Sequence, residues 1–427
     1  MTRGSTHIVS SCTKVPFDLL TDHSFRRPIC SFIAPVRTAL VLIFLVIVFP
    51  SITSSKTNPC LRWIKETDSM ALTDPSGEPI LSRHILVPRV PASTLKLLTS
   101  LAALHELGSH YRFKTEFYLD TDGVLFIKGL GDPLLISEVV SQIAQQLRRR
   151  VSRIKAIVTD NSYFSHNIRI PGSGHSTNPY DALPSALCVN FNTIMVARDK
   201  EGNIISGEPQ TPLTPLTVKI ARQIGAKRGR YTIGQDSDLA AHYAGELIRE
   251  FLIRAGIRVQ GEIRSGVVGS NARLVVTHYS PFTLKDIIQK MLEYSSNFMA
   301  NQLLITMGAH RFGPPGTLDK GLRVLREYVA QDLGLKSAVI VEGSGISRKN
   351  RITAADMLKV LRAFMPYHAL LRHRGNLFYK TGTLKDVRTC VGYIQGKSEE
   401  LYPFVIFINR PFWQLHPLIQ CLEKALR

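Results

Sequence analysis

Neither Cys-x-x-Cys nor His-Glu-x-x-His occurs in the 427 residues, so the spacings that hold a zinc ion are missing and no metal site is indicated. Cysteine itself is sparse. Six in a chain of this length do not make a disulfide scaffold. Cys12 and Cys30 fall in an N-terminal leader, while Cys188 and Cys390 sit in apolar segments and read as buried thiols. Negative charge is also short: 53 Lys and Arg face 33 Asp and Glu, a net +20, which raises nucleic acid as a partner. The basic clusters lie at Arg148–Arg150 with Arg153 and Lys155, from Lys219 to Arg230, and at Arg372–Arg374. None has aromatics interleaved for base stacking, and no nucleic-acid motif occurs, so that class is set aside. No internal repeat or low-complexity run is present.

An apolar run of membrane-spanning length is missing too. Ala39–Phe49 is uncharged and apolar, but eleven residues are too short to cross a bilayer comfortably. Arg26, Arg27 and Arg37 precede it, and Ser51-Ile-Thr-Ser-Ser55 follows with small residues. Residues 1–55 therefore read as a leader, either a signal peptide or, given the long basic stretch ahead of its apolar core, an uncleaved membrane anchor. The chain is read as exported.

With 44% hydrophobic and 20% charged residues, the remainder is long enough for two or three packed domains. A hairpin is legible at Met70–Thr73 and Pro79–Ser82, joined by the turn-forming Asp74-Pro-Ser-Gly-Glu78. Three strand-like stretches close the chain, Leu377–Leu384, Cys390–Gln395 and Pro403–Ile408, making five candidate strands from its two ends.

Lys380-Thr381-Gly382, which occurs once, lies on the first of those closing strands. A lysine there can meet a carboxylate, Thr381 can hydrogen-bond it, and Gly382 can let a substrate backbone come close. Serine acyl-transfer enzymes that bind penicillin combine this triplet with Ser-x-x-Lys and Ser-x-Asn. Each of these occurs three times: at Ser11, Ser93 and Ser152 for the first, and at Ser165, Ser176 and Ser295 for the second. Context selects among them. Ser93 follows Val90-Pro91-Ala92 and opens an apolar helical run, with Lys96 nearly one turn on and on the same face. Ser295 and Asn297 sit where two helical segments meet, whereas Ser165 and Ser176 fall in Gly-, Pro- and Asn-rich loops.

From about Trp63 to its end the chain resembles the low-molecular-mass penicillin-binding proteins of the D-alanyl-D-alanine carboxypeptidase/endopeptidase type, the peptidase S13 family. Pro91–Leu97 and Tyr379–Leu384 match that family's nucleophile segment and lysine strand. Gly129–Pro133, Leu183–Asn192 and Glu342–Arg348 resemble further stretches typical of it. One departure is Asn301, where the family commonly has glutamate after Asn-x-x-Ala. It lies outside the three motifs, so it bears on substrate details more than on chemistry. The resemblance implies an α+β fold: a penicillin-binding/β-lactamase-like domain, with a five-stranded antiparallel sheet flanked by helices. Ser93 and Ser295 lie roughly two hundred residues apart, and catalytic groups must converge, so a long insertion leaves and returns between them. Strand-like pieces such as Lys114–Leu119, Val124–Lys128 and Ile154–Thr159 make that insertion read as mainly β-rich. The expected division is 1–55 leader, 56–115 first catalytic part, 116–272 inserted region and 273–427 second catalytic part.

The chemistry implied is acyl transfer. Ser93 would be the nucleophile, and Lys96, held neutral by burial and by Lys380, would take its proton. Ser295 would relay a proton to the leaving amine, and Asn297 would hold Lys96 and the substrate amide. Lys380 and Thr381 would receive the terminal carboxylate, and the backbone N–H groups of Ser93 and Thr383 would form the oxyanion hole. Gly343 and Gly345 read as turn residues. No cofactor is called for. The implied partners are peptidoglycan stem peptides and β-lactam inhibitors, and the implied address is the periplasm, with inner-membrane anchoring if the leader is retained. In that setting the basic surface favours contact with anionic lipid or cell-wall polymer. A β-lactamase shares the motifs but has a shorter serine-to-serine spacing and lacks the insertion. A non-catalytic wall-binding relative is the other alternative. The implied fold sets the terminal helices side by side, leaving Cys60 and Cys421 either as a disulfide or as two separate thiols.

Overall fold

Leu401–Ile408 is apolar at nearly every position because both faces of its sheet are covered. Side chains alternate across a strand. Phe404, Ile406 and Ile408 pack with Leu418 and Leu422 of the C-terminal helix, while Val405 and Phe407 join a core of helices on the other face. The computed structural model describes residues 58–411 and 414–426. This strand is central to a wholly antiparallel sheet in the order Arg372–Arg374, Leu377–Leu384, Val387–Gln395, Leu401–Ile408, Ser69–Thr73 and Pro79–Arg83. Five of these are the expected strands, drawn from both ends of the described chain. The sixth, Arg372–Arg374, is three exposed basic residues that read in sequence as a charge cluster. A short, charged strand suits an edge, where it discourages pairing with another chain.

Helix Lys96–Leu107 runs through the core, buried without a break from Lys96 to Leu104. A helix covered on all sides need not be amphipathic. Helices Leu284–Tyr294, Asn297–Phe312, Leu318–Gln331 and Ala354–Phe364 pack around it.

Between helix Lys96–Leu107 and helix Leu284–Tyr294 the chain builds a second sheet, ordered Ile263–Ser265, Ala156–Asp160, Val124–Gly129, Lys114–Leu119 and Arg273–Tyr279. Its last two strands pair antiparallel, so the chain leaves and returns side by side. The region expected to be mainly β also contains three helices, Ser137–Arg148, Pro215–Gln223 and Ser237–Arg254. Val139, Val140, Ile143, Ala144 and Leu147 are buried at helical spacing, and this period outweighs the β-branching of the Val pair. A three-stranded sheet of Ile204–Ser206, Thr193–Arg198 and Gly229–Thr232 and a short parallel pair, Arg153–Ile154 with Arg258–Val259, also belong to the region.

Of the two outcomes open for Cys60 and Cys421, the disulfide is formed, with Cα atoms 5.7 Å apart. Cys188 and Cys390 are buried free thiols. The expected leader at 1–55, with its anchoring alternative, lies outside the described residues. Among the described residues no helix is long and apolar enough to cross a membrane.

Candidate active site

Pro91 leads into a tight 3-10 turn, Ala92–Leu95, that runs straight into the core helix. Side chains three residues apart eclipse in such a turn, and Lys96 Nζ lies 3.0 Å from Ser93 Oγ. Thr94 Oγ1 and, from the sheet, Thr389 Oγ1 donate to the Pro91 carbonyl at 2.7 and 2.8 Å, tying the turn down. Ala92 is left-handed at φ 48°, and its carbonyl faces Gly345 so closely that a Cβ there would come within 1.8 Å. Gly345 is thus a close-approach glycine beneath the nucleophile.

Lys96 is fully buried. Its Nζ donates to Asn297 Oδ1 at 2.8 Å and to the Ser344 carbonyl at 2.7 Å. Burial pushes its pKa well below the ordinary lysine value, the positive charge of Lys380 adds to this, and Glu342 opposes it. Asn297 lies 201 residues further along the chain, at the start of helix Asn297–Phe312. The preceding helix, Leu284–Tyr294, opens with a Thr283/Asp286 capping box and ends at Ser295, which is left-handed at φ 55°. Ser296 then caps the next helix by accepting from the Met299 N–H at 3.2 Å. That break turns Ser295 towards the sheet, where Lys380 Nζ donates to its Oγ at 2.8 Å and to the Thr381 carbonyl at 2.7 Å. Lys380 is buried and held at about 8, first by desolvation and then by the charge of Arg372. Thr381 is half-buried and Thr383 exposed, alternating with Gly382 along the strand.

Gly382 is set against the protein's own backbone. A Cβ added there would lie 2.3 Å from Thr389 Oγ1 and 2.8 Å from the Ser93 nitrogen. The glycine is needed for the strand to pass the nucleophile turn, a role that the expectation of substrate approach did not include. Of the rival motifs, Ser11 lies outside the described residues, while Ser176 donates to Asp181 and Asn167 accepts from the Ser237 N–H, partners outside this cluster.

Two further residues shape the site. Glu342 is fully buried and accepts from the N–H groups of Ser344 and Gly345 at 2.6 and 2.7 Å, from Ser344 Oγ at 2.6 Å and from Asn350 Nδ2 at 2.6 Å. It holds the loop whose Ser344 carbonyl meets Lys96. Asn301, the departure from the family pattern, is buried behind this loop, accepting from the Gly343 N–H at 2.8 Å and donating to Glu342 at 3.3 Å. Its surroundings are the loop and helix rather than the cleft. No spacing in the sequence marked Glu342 as a site residue, because a carboxylate in Glu-Gly-Ser-Gly reads as a surface turn. The only signal was the likeness of that segment to the family. Among the described residues no cluster of His, Cys, Asp and Glu is arranged to hold a metal ion.

The profile of the D-Ala-D-Ala carboxypeptidase 3 (S13) family matches residues 69–234 and 216–372. The chain belongs to this family. The matched residues stop short of Lys380, which the sheet brings to Ser295. The S13 chain is 24% identical over 389 residues to D-alanyl-D-alanine carboxypeptidase DacB of Haemophilus influenzae, covering 74% of this chain and 80% of that one. It is 26% identical over 403 residues to a D-alanyl-D-alanine carboxypeptidase of Actinomadura, covering 76% and 74%. The fold matches the crystal structure of penicillin binding protein 4 (dacB) from Haemophilus influenzae with a TM-score of 0.70 at 20% identity, over 86% of this chain and 97% of that one.

Proposed function

We propose that this chain is a serine-type DD-carboxypeptidase and DD-endopeptidase of peptidoglycan stem peptides, acting through an acyl-enzyme on Ser93 and inhibited by penicillin. One observation carries this reading: Lys96 Nζ sits 3.0 Å from Ser93 Oγ with two other acceptors already in place. A neutral amine has two hydrogens and one lone pair. Asn297 Oδ1 and the Ser344 carbonyl use the hydrogens, which leaves the lone pair for the serine proton. Ser93 Oγ attacks the carbonyl of the penultimate D-alanine while its proton passes to Lys96. The backbone N–H groups of Ser93 and Thr383 receive the oxyanion, helped by the positive end of the core helix. Collapse breaks the C–N bond, and the proton reaches the leaving amine through Ser295. Water then hydrolyses the ester. Lys380 and Thr381 hold the terminal carboxylate, which a β-lactam also carries. The exposed arginines at 148–150 give the surface an attraction for anionic lipid or wall polymer.

Incubation with benzylpenicillin followed by mass spectrometry of the intact protein tests the reading. A single long-lived adduct, mapped to the peptide holding Ser93, is expected. The Ser93→Ala variant should take none and melt within about 1 °C of the parent, because one half-buried hydroxyl adds little packing. Labelling that persists in Ser93→Ala would place the nucleophile elsewhere, and rapid release of the adduct would favour a β-lactamase.

A further inference from the structure

We propose that Glu342 is a positioning residue for acyl transfer, holding and polarising the peptide unit that aims the Lys96 amine at Ser93. The proposal rests on the acyl-transfer reading above and names what governs its base. The peptide unit between Ser344 and Gly345 is gripped at both ends. Glu342 accepts from its N–H, on Gly345, at 2.7 Å, and Lys96 Nζ donates to its carbonyl, on Ser344, at 2.7 Å. The unit is trans, so its N–H and C=O point in opposite directions. Holding the N–H therefore fixes where the carbonyl points. The carbonyl takes one hydrogen of the amine, Asn297 Oδ1 takes another, and the lone pair is left facing Ser93.

Glu342 carries a charge that its own contacts do not cancel. Six donors meet its two buried oxygens: the N–H groups of Ser344, Gly345 and Ser347, with Ser344 Oγ, Asn350 Nδ2 and Asn301 Nδ2. All six donate, which is the pattern an ionised carboxylate accepts. All six are also neutral. The negative charge is therefore felt along the peptide, and it makes the Ser344 carbonyl a stronger acceptor for the amine. In the same sense its field favours the proton on Lys96, against burial and the charge of Lys380.

The loop is also fastened to the two helices that supply the catalytic groups. Thr99, a turn beyond Lys96 on the core helix, donates to the Gly343 carbonyl at 2.6 Å. Asn301, a turn beyond Asn297, accepts from the Gly343 N–H at 2.8 Å. Residues a turn apart share a helix face, so the loop lies along the faces that carry Lys96 and Asn297. The remaining groups around the amine bring no negative charge. Asn297 and Asn301 are neutral amides, and Lys380, with Arg372 acting on it, is a cation. Cys390, beside Lys380, is a thiol that burial pushes up to about 12.

The test is the pH profile of acylation by benzylpenicillin, followed by stopped flow from pH 4 to 10 for the full chain, Glu342→Gln and Glu342→Asp. Glu342→Gln removes the charge and keeps the shape. Its acid limb is expected to move down by about one pH unit, a roughly tenfold weaker hold on the proton. Its plateau should fall about tenfold, because the amine is a weaker base and less firmly aimed. Glu342→Asp keeps the charge on a shorter stem, so its acid limb should stay in place while its plateau falls. The alkaline fall near 8 belongs to Lys380 and should not move in either variant. A role in loop structure alone would lower both plateaus and leave both acid limbs at the parent's pH, and that result would overturn the proposal. So would an Asp limb displaced as far as the Gln limb, since charge would then not be the cause. Thermal melting checks that the variants fold. Where Glu342→Gln does not, Glu342→Asp decides alone, and a plateau equal to the parent's would overturn the proposal. In each of these cases the parent is acylated and the acyl-transfer reading stands. A parent that takes no penicillin adduct would remove that reading and the proposal with it.

Discussion

Lys96 and Lys380 are both buried amines, yet the proposed chemistry needs opposite charge states of them. Lys96 must be neutral to accept the serine proton, and desolvation together with the charge of Lys380 pushes it that way. Lys380 must be charged to attract a carboxylate, and it keeps its proton only up to about 8. The sign follows directly. As pH rises, Lys96, its pKa pushed down by burial, gives up its proton and becomes the base, while the cation on Lys380 is lost near 8. Acylation by benzylpenicillin should therefore rise from acid pH, level off, and fall above about pH 8. Lys380→Arg, whose guanidinium stays charged, should acylate more slowly but lose the alkaline fall. Stopped-flow acylation rates across pH 5 to 10 check this. A fall near pH 8 that survives in Lys380→Arg would belong to another group.

At the scale of elements, the site depends on how closely the Lys-Thr-Gly strand passes the nucleophile turn. Gly382 has no room for a methyl group between Thr389 Oγ1 and the Ser93 nitrogen. Gly382→Ala should push strand and turn apart by a substantial fraction of an ångström. Its acylation rate should drop about a hundredfold or more, since misplacement of that size disrupts attack geometry. Measured rates within about threefold of the parent would show that the strand yields without disturbing the serine. The triplet was legible because it occurs once in the chain, on an apolar strand-like stretch. What the glycine faces was not, because its neighbour Ser93 is far away in sequence. The same limit applies to Glu342, whose partners at Ser344, Gly345 and Asn350 are local but whose further partner Asn301 comes from a helix far back in the sequence. The edge strand Arg372–Arg374 escaped for another reason: three polar residues in a row carry no alternation to read.

For the described chain as a whole, long-range closure decides what the sequence could convey. The hairpin and the three last strands were legible one by one, but pairing Ser69–Thr73 with Leu401–Ile408 is a tertiary choice made by burial on both faces. The helices of the inserted region were less legible, since Val-Val and short apolar pieces suit a strand until the sheet beside them fixes the helical face. The disulfide belongs to the same closure. It joins residues 361 apart in sequence and fastens the C-terminal helix where Leu418 and Leu422 already pack beside Cys60 and Ile64. A cross-link over so long a loop acts mainly on the unfolded chain and is worth about 2–4 kcal/mol. The Cys60→Ser/Cys421→Ser double variant should thus melt several degrees lower than the parent under non-reducing conditions. Its acylation by benzylpenicillin should stay within about twofold, because this core lies on the sheet face turned away from the helix that carries Lys96. Differential scanning calorimetry and acylation kinetics measure the two effects separately. Non-reducing peptide mapping should also find the Cys60 and Cys421 peptides joined. An unchanged melting temperature together with unlinked peptides would mean that packing of the terminal helices alone closes the fold.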